Sequence, residues 1–180
     1  VDPWNSLWTS RTHLKFAFWL LVDYDWVVAL DIDLLILDNI DELMSCGRQG
    51  IDLAAVSIIK AGADTAADFN SGVMGLRPSI KTFTELVSLT ENALTKKVNI
   101  TIASETVMSD QSVLNHKFKS TYRVLPKAYN VEKRWWQRAC MQEEFDRLLR
   151  ESRIIHFVGE EKPWGNAIPV HPQLRMLHLL

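Results

Sequence analysis

The chain has 180 residues, 47% of them hydrophobic, and a formal net charge of −2. This length and composition allow one domain with a substantial core. The small negative charge gives no electrostatic basis for binding nucleic acid or an anionic membrane, so we expect no nucleic-acid partner. The richest apolar run, residues 16–22, is too short to cross a bilayer and predicts a buried helix instead.

Strand-like apolar runs alternate with helical patterns along the chain, which is the order of an α/β domain. The predicted strands are residues 26–30, 53–59, 73–76, 122–125 and 153–158. The predicted helices after the first are residues 79–94, 110–118 and 142–151. Pro78 is a residue favoured at a helix start, and Ser109 offers an N-cap to the helix that follows it.

The strongest functional signal follows the first predicted strand, where Asp31 and Asp33 stand one residue apart between apolar runs. Side chains alternate faces along a strand, so both carboxylates can leave on one side and converge on a single cation. A pair of turn or capping aspartates is the alternative. We predict that Asp31 and Asp33 are metal ligands.

A third ligand is expected from elsewhere in the chain, because two aspartates alone would hold a cation weakly. His156 is the candidate, since it lies near the end of an apolar run; a packing histidine is the alternative. Two carboxylates with one imidazole favour manganese, with magnesium as the second choice. Gly159 and Lys162 follow, and they suit the close approach of backbone and a point charge to a phosphate.

Two further polar segments are candidates for substrate contacts. Asn70, Ser71 and Gly72 are predicted at the mouth of a strand, where they either bind sugar hydroxyls or form an ordinary turn. Asp110 and Gln111 lie on the first turn of a predicted helix, where ordinary capping and dipole interactions are the alternative.

Together these segments resemble the glycogenin-like retaining glycosyltransferases of family 8, which have the GT-A fold. The similarity rests on four motifs that occur in the family's order. They are Asp31-Ile32-Asp33, Phe69-Asn70-Ser71-Gly72, Asp110-Gln111 with Leu114-Asn115, and the segment from His156 to Trp164. Lys15 falls where the family has a lysine near the donor phosphates, with a solvated helix lysine as the alternative. The resemblance implies an α/β, Rossmann-like mixed sheet flanked by helices.

The resemblance also implies metal-dependent hexosyl transfer from a UDP-sugar, with retention at the anomeric carbon. Manganese would join the diphosphate to Asp31, Asp33 and His156. Asp110 would be either a transient nucleophile or a group that orients the sugar. The implied catalytic residues are Asp110, Gln111 and Lys162, and the implied substrate-binding residues are Lys15, Asn70, Ser71, Gly72, Gly159 and Lys162.

Three departures from the family pattern modify these expectations. Nothing before Val1 supplies the family's first strand and loop, so we expect residues 1–180 to form one domain that lacks the N-terminal nucleotide-binding strand. Residues 131–137 contain no counterpart of the family's self-glucosylated tyrosine, so we expect a separate acceptor: a glycan, a protein or a small molecule. Ser109 and Ser112 replace glycines around Asp110, so sugar or acceptor contacts are expected to differ.

The donor sugar is expected to be glucose by default, with galactose and glucuronic acid next because related branches share the same motifs. A non-catalytic sugar-nucleotide or glycan-binding module is an alternative, although retained metal ligands argue against it. A haloacid-dehalogenase-like phosphatase is a remote alternative, because that family also has two such aspartates after a strand. It does not account for the segment from His156 to Trp164, and Leu34 stands where that family usually has a small hydroxyl residue. The compartment is expected to be either the cytosol or the Golgi lumen. A homodimer is possible.

Overall fold

The computed structural model describes residues 11–58, 68–95, 100, 109–133, 142–159, 162 and 164. The strands in chain order are β1 (Val27–Leu30), β2 (Leu34–Ile36), β3 (Leu53–Ser57), β4 (Phe69–Leu76), β5 (Arg123–Leu125), β6 (Val131–Glu132) and β7 (Ile154–His156). The α-helices are α1 (Glu42–Ser45), α2 (Ile80–Leu94), α3 (Asp110–Phe118) and α4 (Gln142–Glu151). Three 3₁₀ helices among the described residues are formed by Arg11–Leu20, Cys46–Gln49 and Lys127–Tyr129.

The chain divides into two compact units. Unit 1 comprises Val1–Ala29 and Asp41–Leu125, and unit 2 comprises Leu30–Ile40 and Pro126–Leu180. The predicted single domain over residues 1–180 therefore stays a prediction. Among the described residues, no helix combines the length and the apolar character that a membrane crossing requires.

Unit 1 contains a mixed four-stranded sheet in the order β1-β4-β3-β5. β3 pairs antiparallel with β4 and parallel with β5, which agrees with the predicted mixed sheet. The first four residues of β3, Leu53 to Val56, are buried, and so is the whole of β4. This arrangement fits a central strand pair that is covered on both faces.

Helices contribute apolar side chains to the core of unit 1, among them Leu86 of α2 and Leu114 of α3. Ser79 caps α2 by accepting a hydrogen bond from the Thr82 backbone N–H at 3.2 Å. The 3₁₀ helix Arg11–Leu20 buries Phe16 and Trp19 in the core. The Trp19 ring stacks on Phe118 of α3 with centroids 6.0 Å apart, which adds an aromatic contact to the burial of apolar area.

Unit 2 contains a three-stranded sheet in the order β2-β7-β6. β7 is its central strand, antiparallel to β2 and parallel to β6. All three residues of β7 are buried. The register pairs His156 with Leu34 of β2 and with Glu132 of β6, so the last residue of β7 lies beside the start of β2.

Most predicted elements are confirmed, although three expectations were wrong in detail. β2 and β6 were not predicted. Residues 70–72 do not lie at the mouth of a strand, because β4 begins at Phe69 and includes them. The predicted buried helix over residues 16–22 ends at Leu20, and within those residues only Phe16 and Trp19 are buried. Residues 134–137 of the stretch without tyrosine lie outside the described residues.

Gly75 of β4 gives a test of the packing of unit 1. A methyl group at this position would overlap with the indole ring of Trp26, whose Nε1 donates to the Leu43 carbonyl oxygen at 2.9 Å. We expect Gly75→Ala to lower the free energy of unfolding by about 1–3 kcal/mol, measured by urea titration, because the buried ring cannot move freely.

The matched background for this test is Trp26→Leu, which removes the ring. There, Gly75→Ala is expected to cost much less, since the added methyl group gains space. An equal cost in both backgrounds would contradict the proposed clash.

Candidate functional site

Three metal-ligating side chains of unit 2 lie together. One ligand atom from each of Asp31, Asp33 and His156 lies within 4.8 Å of the others. His156 Nε2 is 3.2 Å from Asp33 Oδ1 and 3.8 Å from Asp31 Oδ2. This set of two carboxylates and one imidazole suits a divalent transition-metal ion. The predicted grouping of these three residues is therefore observed.

The backbone of unit 2 explains why residues so distant in sequence meet. β1 ends at Leu30, so Asp31 and Asp33 lie in the turn before β2 rather than on a strand. The backbone N–H of Phe157, the residue after His156, donates to the Asp33 carbonyl oxygen at 2.9 Å. The end of β7 is thus tied to the aspartate turn by a main-chain hydrogen bond. Ile32, between the two acids, is 99% exposed, so the turn itself faces solvent.

Asn130 orients the imidazole of His156. Its Oδ1 lies 2.9 Å from His156 Nδ1, and both side chains are buried. An amide oxygen can only accept, so Nδ1 is the donor in this hydrogen bond. Nε2 is the atom that faces the two carboxylates. This is the outer hydrogen bond that metal-binding histidines usually make, and sequence reasoning had given Asn130 no role.

Lys162 contributes positive charge to the same group. Its Nζ donates to Asp33 Oδ2 at 2.5 Å and also to the Phe157 carbonyl oxygen. Burial of Asp33 raises the pKa of its carboxyl group. The hydrogen bond from Lys162 and the nearby charges of His156 and Lys162 outweigh that effect and lower the pKa below its usual value. Asp33 is therefore ionised at neutral pH, as a metal ligand must be.

Gly159 gives the chain the turn that follows β7. Its φ of +91° lies in the region that residues with a side chain rarely adopt, and a methyl group there would meet no neighbouring atom. The requirement for glycine is therefore conformational rather than steric. Beyond it, Trp164 packs edge-on against Phe157 while remaining exposed.

The other predicted site residues form a polar cluster in unit 1, at a bulge in β4. The β3–β4 register passes from Ala55↔Met74 directly to Val56↔Asn70, so Ser71, Gly72 and Val73 lie in the bulge. Asn70 Oδ1 accepts from the Gly72 backbone N–H at 2.8 Å, which shapes the bulge. Bulges of this kind re-aim side chains and are common next to active sites.

The bulge brings Ser71 to the first turn of α3. Ser71 Oγ donates to Asp110 Oδ2 at 2.8 Å, and the Ser71 backbone N–H donates to Gln111 Oε1 at 3.1 Å. Lys15 Nζ lies 3.2 Å from the same Asp110 oxygen and 3.3 Å from both Ser71 oxygens. Lys15 is thus a partner of Asp110 rather than only a solvated helix lysine. Asp110 is buried, which strengthens its attraction to the lysine.

A reciprocal cap fixes the start of α3. Ser109 Oγ accepts from the Ser112 backbone N–H at 3.2 Å, and Ser112 Oγ accepts from the Ser109 backbone N–H at 2.8 Å. The predicted N-cap at Ser109 is confirmed, and the two serines that depart from the family pattern form a capping box.

The predicted site residues thus form two groups, each within one compact unit. The unit 2 group contains Asp31, Asp33, His156, Gly159 and Lys162. The unit 1 group contains Lys15, Asn70, Ser71, Gly72, Asp110 and Gln111. Two buried asparagines without a predicted role make hydrogen bonds to members of these groups: Asn115 to Gln111, and Asn130 to His156. Asn115 belongs to one of the four motifs of the family resemblance, whereas Asn130 lies outside them.

Comparison with known families identifies the class of protein. The sequence model of glycosyl transferase family 8 matches residues 3–167. The chain therefore belongs to glycosyl transferase family 8, which confirms the predicted membership.

Its curated relatives have several different functions. UDP-glucuronate:xylan alpha-glucuronosyltransferase 1 of Arabidopsis thaliana is 31% identical over 173 residues, which are 91% of this chain and 21% of the relative. Glycogenin-1 of Caenorhabditis elegans is 30% identical over 164 residues, which are 89% of this chain and 34% of the relative. The chain thus spans about a fifth to a third of the length of these relatives.

Solved structures show the fold. The apo form of the glycosyltransferase GlyE of Streptococcus pneumoniae TIGR4 is similar with a TM-score of 0.64 and 22% identity, over 94% of this chain and 42% of GlyE. The galactosyltransferase LgtC, in complex with donor and acceptor sugar analogues, is similar with a TM-score of 0.62 and 20% identity, over 93% of this chain and 66% of LgtC. The predicted GT-A fold is therefore confirmed.

The metal-ligand group gives a direct binding prediction. We expect Asp33→Ala and His156→Ala each to weaken Mn²⁺ binding by at least about 100-fold, because each removes one of three protein ligands. Isothermal titration calorimetry on the full-length protein measures the affinity. Asp38→Ala is the control, since it removes another carboxylate of unit 2 that pairs with Arg153. Unchanged affinity in both ligand variants would contradict the site.

Asn130 gives a second binding prediction. Asn130→Ala removes the acceptor for the Nδ1 proton of His156, so we expect Mn²⁺ affinity to fall by about 10–100-fold. Asn130→Asp keeps an acceptor of the same size, and its affinity is expected to stay at or above that of the parent protein. If Asn130→Ala binds as tightly as the parent while remaining folded, Asn130 does not orient His156.

Proposed function

We propose that this protein transfers a hexose, most simply glucose, from a UDP-sugar donor to a separate acceptor, with a divalent metal ion and retention at the anomeric carbon. The observation that carries the proposal is the group of Asp31, Asp33 and His156 in a chain of glycosyl transferase family 8. Sugar transfer from UDP-sugars creates negative charge on the departing diphosphate, and such a group is suited to hold the cation that neutralises it.

Manganese is the metal we propose, because an imidazole and two carboxylates suit it better than magnesium, which prefers oxygen ligands. A bound ion of this kind would act as a Lewis acid toward the diphosphate. The residues of unit 2 support this assignment, since Asp33 is ionised at neutral pH and His156 Nε2 faces the carboxylates.

Lys162 is proposed to stabilise the departing UDP. Its ammonium group contacts Asp33, so its charge lies at the metal ligands, where a diphosphate oxygen would also be bound. A positive charge that interacts most strongly with the leaving group favours the transition state over the bound substrate. Gly159 supports this role by turning the chain between His156 and Lys162.

The unit 1 cluster is proposed to bind the sugar, with Asn70, Ser71, Gly72 and Gln111 around its hydroxyl groups. Asp110 is proposed to orient the sugar rather than to attack it. Its Oδ2 already accepts a hydrogen bond from Ser71 and pairs with Lys15, and both contacts reduce the nucleophilicity of a carboxylate.

A second donor is supported by the relatives. Among them are UDP-glucuronate:xylan alpha-glucuronosyltransferases, so UDP-glucuronic acid is the main alternative donor. UDP-galactose is a further alternative, because galactinol synthase 2 and the galactosyltransferase LgtC are also similar to this chain. A non-catalytic binding module is the alternative from another class. The phosphatase alternative receives no support from these similarities. The identity of the acceptor and the formation of a homodimer stay predictions. The same holds for the compartment, which we expect to be the cytosol or the Golgi lumen.

The test is release of UDP by the full-length parent protein with UDP-glucose, UDP-galactose and UDP-glucuronic acid, each with and without Mn²⁺. We expect release with one donor that requires the ion, and loss of that release in Asp31→Ala, because the ion needs its ligand. Asp38→Ala serves as the control for loss of an acidic side chain.

The other outcomes separate the alternatives. Binding of UDP without release from any donor, with a range of glycan acceptors supplied, would favour the binding module. Release that is independent of Mn²⁺ and of Asp31 would contradict the role of the metal centre.

A further inference from the structure

Asn115 of α3 makes contacts that the proposed function does not use. Its side chain is 1% exposed. The side-chain Oδ1 accepts from the Phe69 backbone N–H at 2.7 Å, and Nδ2 donates to the Phe69 carbonyl oxygen at 2.8 Å. One amide group thus bonds both backbone groups of a residue in β4, as a neighbouring strand would.

The same amide also bonds the helix to which it belongs. Asn115 Nδ2 donates to the Gln111 carbonyl oxygen at 2.9 Å, one turn earlier on α3. The start of β4 and the first turn of α3 are therefore joined through one planar group. Because this group is buried, the loss of its two bonds to Phe69 removes the partners of two backbone polar groups at a substantial cost.

The residues that Asn115 contacts, Phe69 and Gln111, are next to or within the unit 1 cluster in sequence. Ser71 follows Phe69 by two residues on β4, and it donates to Gln111 Oε1 and Asp110 Oδ2. A shift of α3 along β4 would lengthen or break both of these bonds. The Asn115 amide opposes such a shift because its bonds to Phe69 hold only one register.

We propose that Asn115 is a positioning residue, which sets the register of α3 against β4 and so holds Asp110 and Gln111 in the geometry that orients the bound sugar for transfer. This proposal rests on the proposed function and extends it to a residue that does not contact the sugar. A misplacement of about 1 Å at an active site can cost on the order of 100-fold in rate, so the register has consequences for turnover.

Asn115→Asp is the principal variant, because it keeps the shape and one oxygen for the Phe69 N–H but loses the donations from Nδ2. We expect kcat for sugar transfer by the full-length protein to fall by about 100-fold, with a much smaller change in donor KM. Mn²⁺ affinity is expected to stay within about twofold, since the ligands of unit 2 are unaltered. If Asn115→Asp does not fold, Asn115→Ser replaces it with the same expected direction.

Thr90→Val is the matched control. Thr90 is also buried in unit 1, and its hydroxyl donates to the Leu86 carbonyl oxygen within α2 at 2.9 Å. We expect this variant to lose stability but to keep its kcat, because it leaves the contacts between α3 and β4 intact. An equal loss of kcat in both variants would show that the effect is only a loss of stability, and would overturn the proposal.

Amide hydrogen exchange gives a readout that does not depend on catalysis. In Asn115→Asp, the Ser71 amide is expected to exchange faster, because its bond to Gln111 depends on the register of α3. Amides within α2 are expected to keep their protection. If the parent protein transfers no sugar, the proposed function fails while exchange at Ser71 still decides the role of Asn115. Unchanged exchange and unchanged kcat in a folded variant would each contradict that role.

Discussion

The convergence of two carboxylates and one imidazole within 4.8 Å is the constraint on which unit 2 depends. Asp31 and Asp33 repel each other at this separation, and the repulsion must be offset by positive charge. Lys162 supplies part of that charge through Asp33, and a divalent ion would supply the rest. The pairing of β7 with β2 and the main-chain bond from Phe157 to Asp33 keep the ligands together. The short sheet is thus the scaffold of the candidate metal site.

A bulge and a capped helix perform the corresponding task in unit 1. The bulge turns Ser71 out of the regular β4 register, and the capping box at Ser109 fixes the first turn of α3 that carries Asp110 and Gln111. Irregular backbone of this type is retained where a side chain must be aimed. Polar groups buried in this way are favourable only when all are hydrogen-bonded, which explains the dense bonding around Ser71 and Asp110.

Much of this architecture could be predicted from sequence, because local patterns determine it. The bounds of α3 agree with its N-cap at Ser109, and those of α4 with its apolar periodicity. The candidate metal ligands follow from acids and a histidine at the ends of apolar runs. The strands β2 and β6, of three and two residues, depend on pairing with β7 and carry no periodicity of their own. The bulge in β4 also could not be predicted, because it is defined by the pairing of β4 with β3. The role of Asn130 was missed because it depends on a contact with His156, which is 26 residues away in sequence.

The central claim is that Asp31, Asp33 and His156 bind the ion that holds the diphosphate of the donor. Crystals of the full-length protein grown with Mn²⁺ and UDP test it most directly, by anomalous scattering from manganese. The account predicts one strong anomalous peak bonded to all three side chains and to a phosphate oxygen of UDP. UDP bound without manganese at these residues, or manganese bound elsewhere with the three side chains apart, would contradict it.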